Sequence, residues 1–533
     1  MLQSYPHPSR RTVVYGQNGM VATSHYLAAE AGRSILKKGG NAIDAAIATA
    51  AALTVVEPTS NGLGGDCFAI VLYDGHLHGL NASGYAPRNL SIKTLKQKTG
   101  GAITPHGFES VTVPGEIGGW TSLREKFAFL DLKTLLSPAI DLAEHGFPIA
   151  PTVAYHWNNA ATIYKDRLDK PYHNHWFSTF SNDGHSPEEG SIWTLKDHAK
   201  TLKEIAKTDG HSFYEGELAK RMISFSNENG GYFSLEDFRH FRPQWVDPVG
   251  IDYHGHRVFE LPPNCQGAVT SMALNVIKHL DTNDQSLSNR THQHIEAMKI
   301  AFADATEHFA DPDYMNVSLA ELLNNDYGRV RAQEITDTAR VYRAKKPSKS
   351  GTVFLTTADK DGNMVSFIQS NYMGFGSGLV VPDTGIALNN RGMNFSTNPK
   401  HINCVEPHKR PYHTIMPGFL YKDGIPLGPF GVMGGFMQPQ GHLQVLSQLI
   451  DLHMNPQQAL DAPRWYWKEK KTIEVENDFS DMLFDTLKQK GHTMHKTNQT
   501  ALFGRGQIIL KNPETGIYAG GTDKRADGAV LVP

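Results

Sequence analysis

Cysteine is scarce in this chain of 533 residues: Cys67, Cys265 and Cys404 are widely separated and odd in number. That argues against a disulfide framework and against a thiolate metal cluster. Long apolar runs are also missing. The most apolar stretch, Ala45 to Val56, has 12 residues; spanning a bilayer takes ~20, so the stretch reads as a buried helix. Neither sign of charge dominates, since 51 Lys and Arg against 54 Asp and Glu leave a net −3. A polyanion such as nucleic acid would find no general basic field. Met1 to Val14 carries Arg10-Arg11 with no apolar stretch after the pair, so the expected compartment is the cytoplasm, with no membrane partner.

Two hydrolase signatures are absent as well. The chain has no HExxH, and the nearest approach to a serine elbow, Gly374-Phe-Gly376-Ser377-Gly378, has the wrong spacing. Histidine is plentiful, with pairs at His173/His175, His254/His256 and His292/His294. None of these pairs reads as having a Cys, Asp or Glu at metal-ligand spacing, so core or surface histidines and no metal are expected. Gly62-x-Gly64 follows a helix and precedes a strand, the reverse of a dinucleotide-binding order.

The sequence does offer helices and hairpins in separate runs. Asn41 to Val56 is alanine-rich and ends at Glu57-Pro58, which predicts a helix. A glycine-rich loop and the strand pair around Asp74-Gly75 follow it. Ile295, Met298, Phe302, Ala305 and Phe309 recur at steps of three and four, predicting an amphipathic helix stopped by Asp311-Pro312. Residues 343–350 are basic and proline-interrupted, and read as an exposed linker. Beyond them Thr352 to Thr357, a turn at Asp359 to Gly362, and Met364 to Ile368 predict a hairpin. Phe419 to Tyr421 and Gln507 to Leu510 start two more, and His442 to Leu452 is expected to be helical. Such an order argues for layered α+β.

Thr352 has a chemical reading of its own. A threonine hydroxyl needs an adjacent base, and one solution is its own free α-amine, with a pKa of ~7.7–8.0. An internal threonine gains that amine only if the chain is cut before it, and Gly351-Thr352 is an open place for a cut. The plain alternative is that Thr352 merely begins a strand. Pro429 to Gly435, followed by a helix, places two successive glycine N–H groups where they could meet an oxyanion. A tight turn that needs glycine explains the same residues.

The motifs taken together resemble the γ-glutamyltranspeptidase (glutathione hydrolase) family of N-terminal-nucleophile hydrolases. They include GGNAIDAAIA (39–48), NGLGGD (61–66), VPGEIGGW (113–120), LPPNCQGAV (261–269), DKDGNMVS (359–366), TGIALNN (384–390) and KRPYHTIMPG (409–418). The resemblance implies a four-layer αββα sandwich and autocleavage at Gly351/Thr352. The products would be a large subunit, 1–351, and a small one, 352–533, intertwined in one fold. It implies Thr352 as nucleophile, Ser370 as the second hydroxyl, Gly434 and Gly435 as oxyanion glycines, and no cofactor. A higher oligomer stays open.

The substrate pocket departs from the family pattern. Ser83 stands where the family has the arginine that holds the glutamyl α-carboxylate, and Asn394 where it has the aspartate for the α-ammonium. Arg391, beside Asn390, replaces a glutamine; His413-Thr414 replaces a serine pair; Tyr372 replaces an asparagine. Charge-assisted hydrogen bonds contribute ~1.5–3 kcal/mol each, so losing two or three costs roughly 10²–10⁵ in glutamyl specificity. Arg391 is expected to be a new carboxylate-binding cation, with Arg88 a weaker candidate. The expected activity is a self-processing acylase or amidohydrolase acting on small carboxylate-bearing acyl amides. The alternatives are a glutathione hydrolase with a rebuilt pocket and a non-catalytic binding relative.

Overall fold

The computed structural model describes residues 11–280, 286–342 and 351–533; the linker at 343–350 lies outside them. Two seven-stranded antiparallel sheets form the centre. The first runs in the order Ala529–Leu531, Gly19–Thr23, Gly351–Asp359, Met364–Tyr372, Asp66–Tyr73, His76–Ala82, Gln244–Val246. The second runs Val14–Gly16, Tyr518–Thr522, Arg505–Lys511, Ile425–Met433, Gly418–Lys422, His256–Glu260, Val249–Tyr253.

The inner faces meet in one apolar layer that draws Phe68, Ile70, Phe354 and Ile368 from the first sheet and Phe419, Met433 and Ile509 from the second. Helices cover both outer faces, giving the αββα sandwich the sequence predicts. Strands from before and after position 351 are interleaved in both sheets. The two segments therefore share one core.

Local chemistry fixes the helix behind the first sheet. Asn41 caps Ala42–Val56 by accepting from the N–H groups of Ile43 and Asp44, and the Asp44 carboxylate accepts from Asn41 N–H at 2.8 Å. Two orphan donors are satisfied reciprocally. Every side chain of that helix is buried, which small alanines permit without separating the layers. The expected hairpins all form, and the helix expected from His442 starts earlier, spanning Met437–Ile450. No helix among the described residues is long and apolar enough to cross a membrane.

Candidate active site

Thr352 is the second residue of the strand Gly351–Asp359 and is fully buried. Its pairing with Met364–Tyr372 is irregular at this point: Gly351 faces Tyr372, but Val353 faces Gln369. An extra residue on the partner strand turns Ser370 toward Thr352. The Thr352 hydroxyl lies 2.6 Å from the Gly351 carbonyl oxygen and 3.2 Å from Ser370 Oγ. Ser370 Oγ donates to the same carbonyl at 2.7 Å and accepts from Tyr372 N–H at 2.7 Å. Two hydroxyls therefore converge on the carbonyl of the intact Gly351–Thr352 peptide and polarise it. A Cβ at Gly351 would stand 3.1 Å from Gly374 N and 3.2 Å from Ser60 Cα and Thr59 O, so the position is crowded rather than open.

Gly434 and Gly435 follow the strand Ile425–Met433 with φ of +135° and +63°, left-handed backbone that favours glycine. Their carbonyls accept from Met437 and Gln438 N–H at the helix start, at 3.1 Å each. Their own N–H groups have no acceptor among the described residues. Two unspent donors in succession are what an oxyanion requires. Gly434 and Gly351 line the same cavity of about 330 Å³.

The positions expected to read the substrate's polar end behave differently. Arg391 is fully buried and donates from Nε and NH2 to both oxygens of Asp66, each at 3.0 Å, and from NH1 to Thr414 Oγ1 at 2.9 Å. Its guanidinium lies 4.8 Å from the centre of the Tyr372 ring. His413 Nε2 is 2.7 Å from Asp66. Burial alone would raise the Asp66 carboxyl, yet Arg391 and His413 outweigh it and hold it below the usual range. Burial, reinforced by Arg391, pushes His413 down to about 4, so its ring is neutral near pH 7. Arg391 is thus not the open cation expected from sequence: its fork is occupied by an internal carboxylate.

The Gamma-glutamyltranspeptidase family model matches residues 28–532. The chain belongs to the γ-glutamyltranspeptidase family. A cephalosporin acylase of Bacillus halodurans, known as a crystal structure, superposes with a TM-score of 0.96 at 50% identity, covering 100% of this chain and 98% of that one. The glutathione hydrolase-like YwrD proenzyme of Bacillus subtilis is 36% identical over 97% of this chain and 99% of its own length. The oxamate amidohydrolase proenzyme of Klebsiella pneumoniae is 32% identical over 96% and 98%.

Within this family member the remaining predicted residues fall into two groups. Asn390 lines the cavity, but its side chain also braces the wall, donating to Pro105 O and Gly376 O at 3.1 Å and accepting from Met373 N–H at 3.0 Å. Ser83 is buried away from the cavity lining, donating to Asn81 Oδ1 at 2.7 Å. Asn394 is buried with its Nδ2 unpartnered. Arg88 is exposed.

The structure also corrects one reading of the histidines. His292 and Glu296, four apart on the helix Leu287–His308, share a buried cluster with His492, so an acidic residue does stand at ligand spacing. Lys299 Nζ already occupies Glu296 at 2.5 Å, and Lys299, Lys471 and Lys490 surround His492 with positive charge. Such a setting disfavours a metal cation, so the cluster reads as an internal polar network.

Sequence reasoning missed Asp66 as the partner of Arg391, and it missed Arg505, which lines the cavity. The Asp66 carboxylate at the end of the glycine loop was visible, but its partner lies 325 positions away.

Proposed function

We propose that the chain cuts itself between Gly351 and Thr352 and then hydrolyses amides whose acyl group needs no α-ammonium. The protein is a hydrolase of amide bonds within its family; the cut site, the residue roles and the acyl class form the proposal. The observation that carries it is the convergence of the Thr352 and Ser370 hydroxyls on the Gly351 carbonyl, in a cavity shared with the unpaired Gly434 N–H.

In the first step Thr352 Oγ attacks the Gly351 carbonyl carbon and the Gly351–Thr352 C–N bond breaks. The hydroxyl proton passes to the departing nitrogen. Water then hydrolyses the resulting ester, leaving a Gly351 carboxylate and a free Thr352 α-amine. That amine serves as the base in turnover. Thr352 Oγ adds to the substrate carbonyl, and the N–H groups of Gly434 and Gly435 hold the oxyanion. The leaving amine takes the proton from the Thr352 α-ammonium, and water releases the acyl group.

The closed Asp66–Arg391–His413–Thr414 network supports an acyl group without α-amino recognition, because no carboxylate there is unpaired for an ammonium. This follows the acylase sense of the relatives' names. A cytoplasmic setting belongs to the proposal on sequence alone, and cell fractionation checks it.

Intact mass and N-terminal sequencing of the purified protein test the cleavage. A fragment of 533 − 351 = 182 residues beginning at Thr352 is expected. A chain that stays whole, with no hydrolysis of acyl anilides, overturns the proposal.

A further inference from the structure

The cavity beside Gly351 carries a charge that the catalytic steps do not use. Arg505 begins the strand Arg505–Lys511 and sits opposite Met433 in the ladder, one residue before Gly434. Among the described residues it is the one permanently charged side chain lining the cavity. Its NH1 donates to Glu57 Oε1 at 2.6 Å and its NH2 to Ser60 Oγ at 3.3 Å. Glu57 is itself buried, its other oxygen accepting from Ser24 Oγ at 2.6 Å.

A guanidinium has five N–H donors, and two are accounted for here. The other three have no acceptor among the described residues. The basic rings on the same wall do not compete for an anion. Burial and the neighbouring Arg505 charge push His156 down to about 3. Burial also lowers His106. Much of the remaining lining is apolar or aromatic, including Ala160, Ile163, Tyr164, Met373 and Leu502.

We propose that Arg505 anchors a carboxylate on the acyl group of the substrate, making the preferred substrates monoamides of small dicarboxylic acids. The inference rests on Thr352 as nucleophile and deepens it by giving the acyl chain a far end. Glu57 and Ser60 hold NH1 and NH2 and fix the orientation of the fork before substrate arrives, while the remaining N–H groups take the second carboxylate. Methylene carbons between carboxylate and amide lie along the apolar wall. A cavity of about 330 Å³ suits a short chain. Arg505 thus takes the place in recognition that Arg391, closed on Asp66, does not fill.

The test compares glutaryl and pentanoyl p-nitroanilides, equal in chain length and differing in the terminal carboxylate, on the mature protein. In the wild type, kcat/KM for the glutaryl substrate should exceed that for the pentanoyl by about 10- to 100-fold. Arg505→Met should collapse that ratio toward one, chiefly through KM, and Arg505→Lys should leave it in between. Arg505→Met strands the Glu57 carboxylate, so the double variant Glu57→Gln/Arg505→Met is run beside it and should show the same collapse.

Calorimetric binding of glutarate, with butyrate as the control, reads the anchor without turnover. It should weaken about 10-fold or more in Arg505→Met. A protein that is not cut and hydrolyses neither anilide refutes the Thr352 reading, while glutarate binding that depends on Arg505 would still support the anchor. A wild-type ratio near one, or a ratio unchanged in both Met variants, overturns the inference.

Discussion

The two halves of the site differ in what they leave unspent. Around Thr352 two glycine N–H groups have no acceptor among the described residues, and two hydroxyls are aimed at the one carbonyl that a cut before Thr352 would remove. Around Arg391 the guanidinium is fully buried, with Asp66 and Thr414 engaging it and His413 closing on Asp66 from the other side. A catalytic site must keep hydrogen-bonding capacity for a species that exists only during reaction. A closed ion-pair network spends that capacity on the fold. The difference teaches that positions aligned with a family's recognition residues can turn structural while the chemistry beside them is kept.

The largest expected effect lies on the open side. Thr352→Ala should abolish both cleavage and hydrolysis, a fall of at least about 10⁴ in kcat, read by gel and anilide assay. A Thr352→Ala chain that still splits at 351/352 would break the comparison at its root.

Next comes the closed side. Arg391→Met leaves Asp66 buried beside a neutral ring and should destabilise the protein by about 3–5 kcal/mol, seen as a lower unfolding midpoint. If instead stability holds and only carboxylate selectivity falls, Arg391 belongs to the substrate.

Gly434→Ala sharpens the open half. A Cβ at φ +135° would meet Gly504 Cα at 3.1 Å, so the Gly434 N–H must move. A loss of roughly 10²–10³ in kcat with little change in KM is expected from steady-state kinetics. A change confined to KM would place the glycines in binding.

The smallest effect is the pH dependence of the closed half. His413 has a pKa of about 4 when folded, against 6.5 as the reference value. Between those values the unfolded chain binds the proton and the folded one does not. Stability therefore falls as pH drops from 6.5 toward 4, by at most about 3 kcal/mol for this group, and is flat above pH 7. His413→Gln should lessen that slope in acid-unfolding curves.

Much of this fold was legible from local pattern, because the Asn41 cap, the Asp74-Gly75 turn and the Asp359 to Gly362 turn are short-range devices. The order of motifs supplied the layering and the position of Thr352. What stayed hidden was long-range pairing. Arg391 read as a free cation because Asp66 lies 325 residues earlier, and Arg505 gave no signal because Glu57 lies 448 residues away. His292 and Glu296 were within reach at a spacing of four, yet His492, 200 positions on, completes their cluster. Glycine N–H groups left without partners are likewise a property of the folded backbone.

The most direct test of the contrast is the ratio of kcat/KM for γ-glutamyl against glutaryl p-nitroanilide on the mature protein, since the two differ only in the α-ammonium. The closed network predicts that the ammonium brings no advantage, so the glutaryl substrate should be turned over at least as efficiently. A preference of about 100-fold or more for the γ-glutamyl substrate would contradict the account.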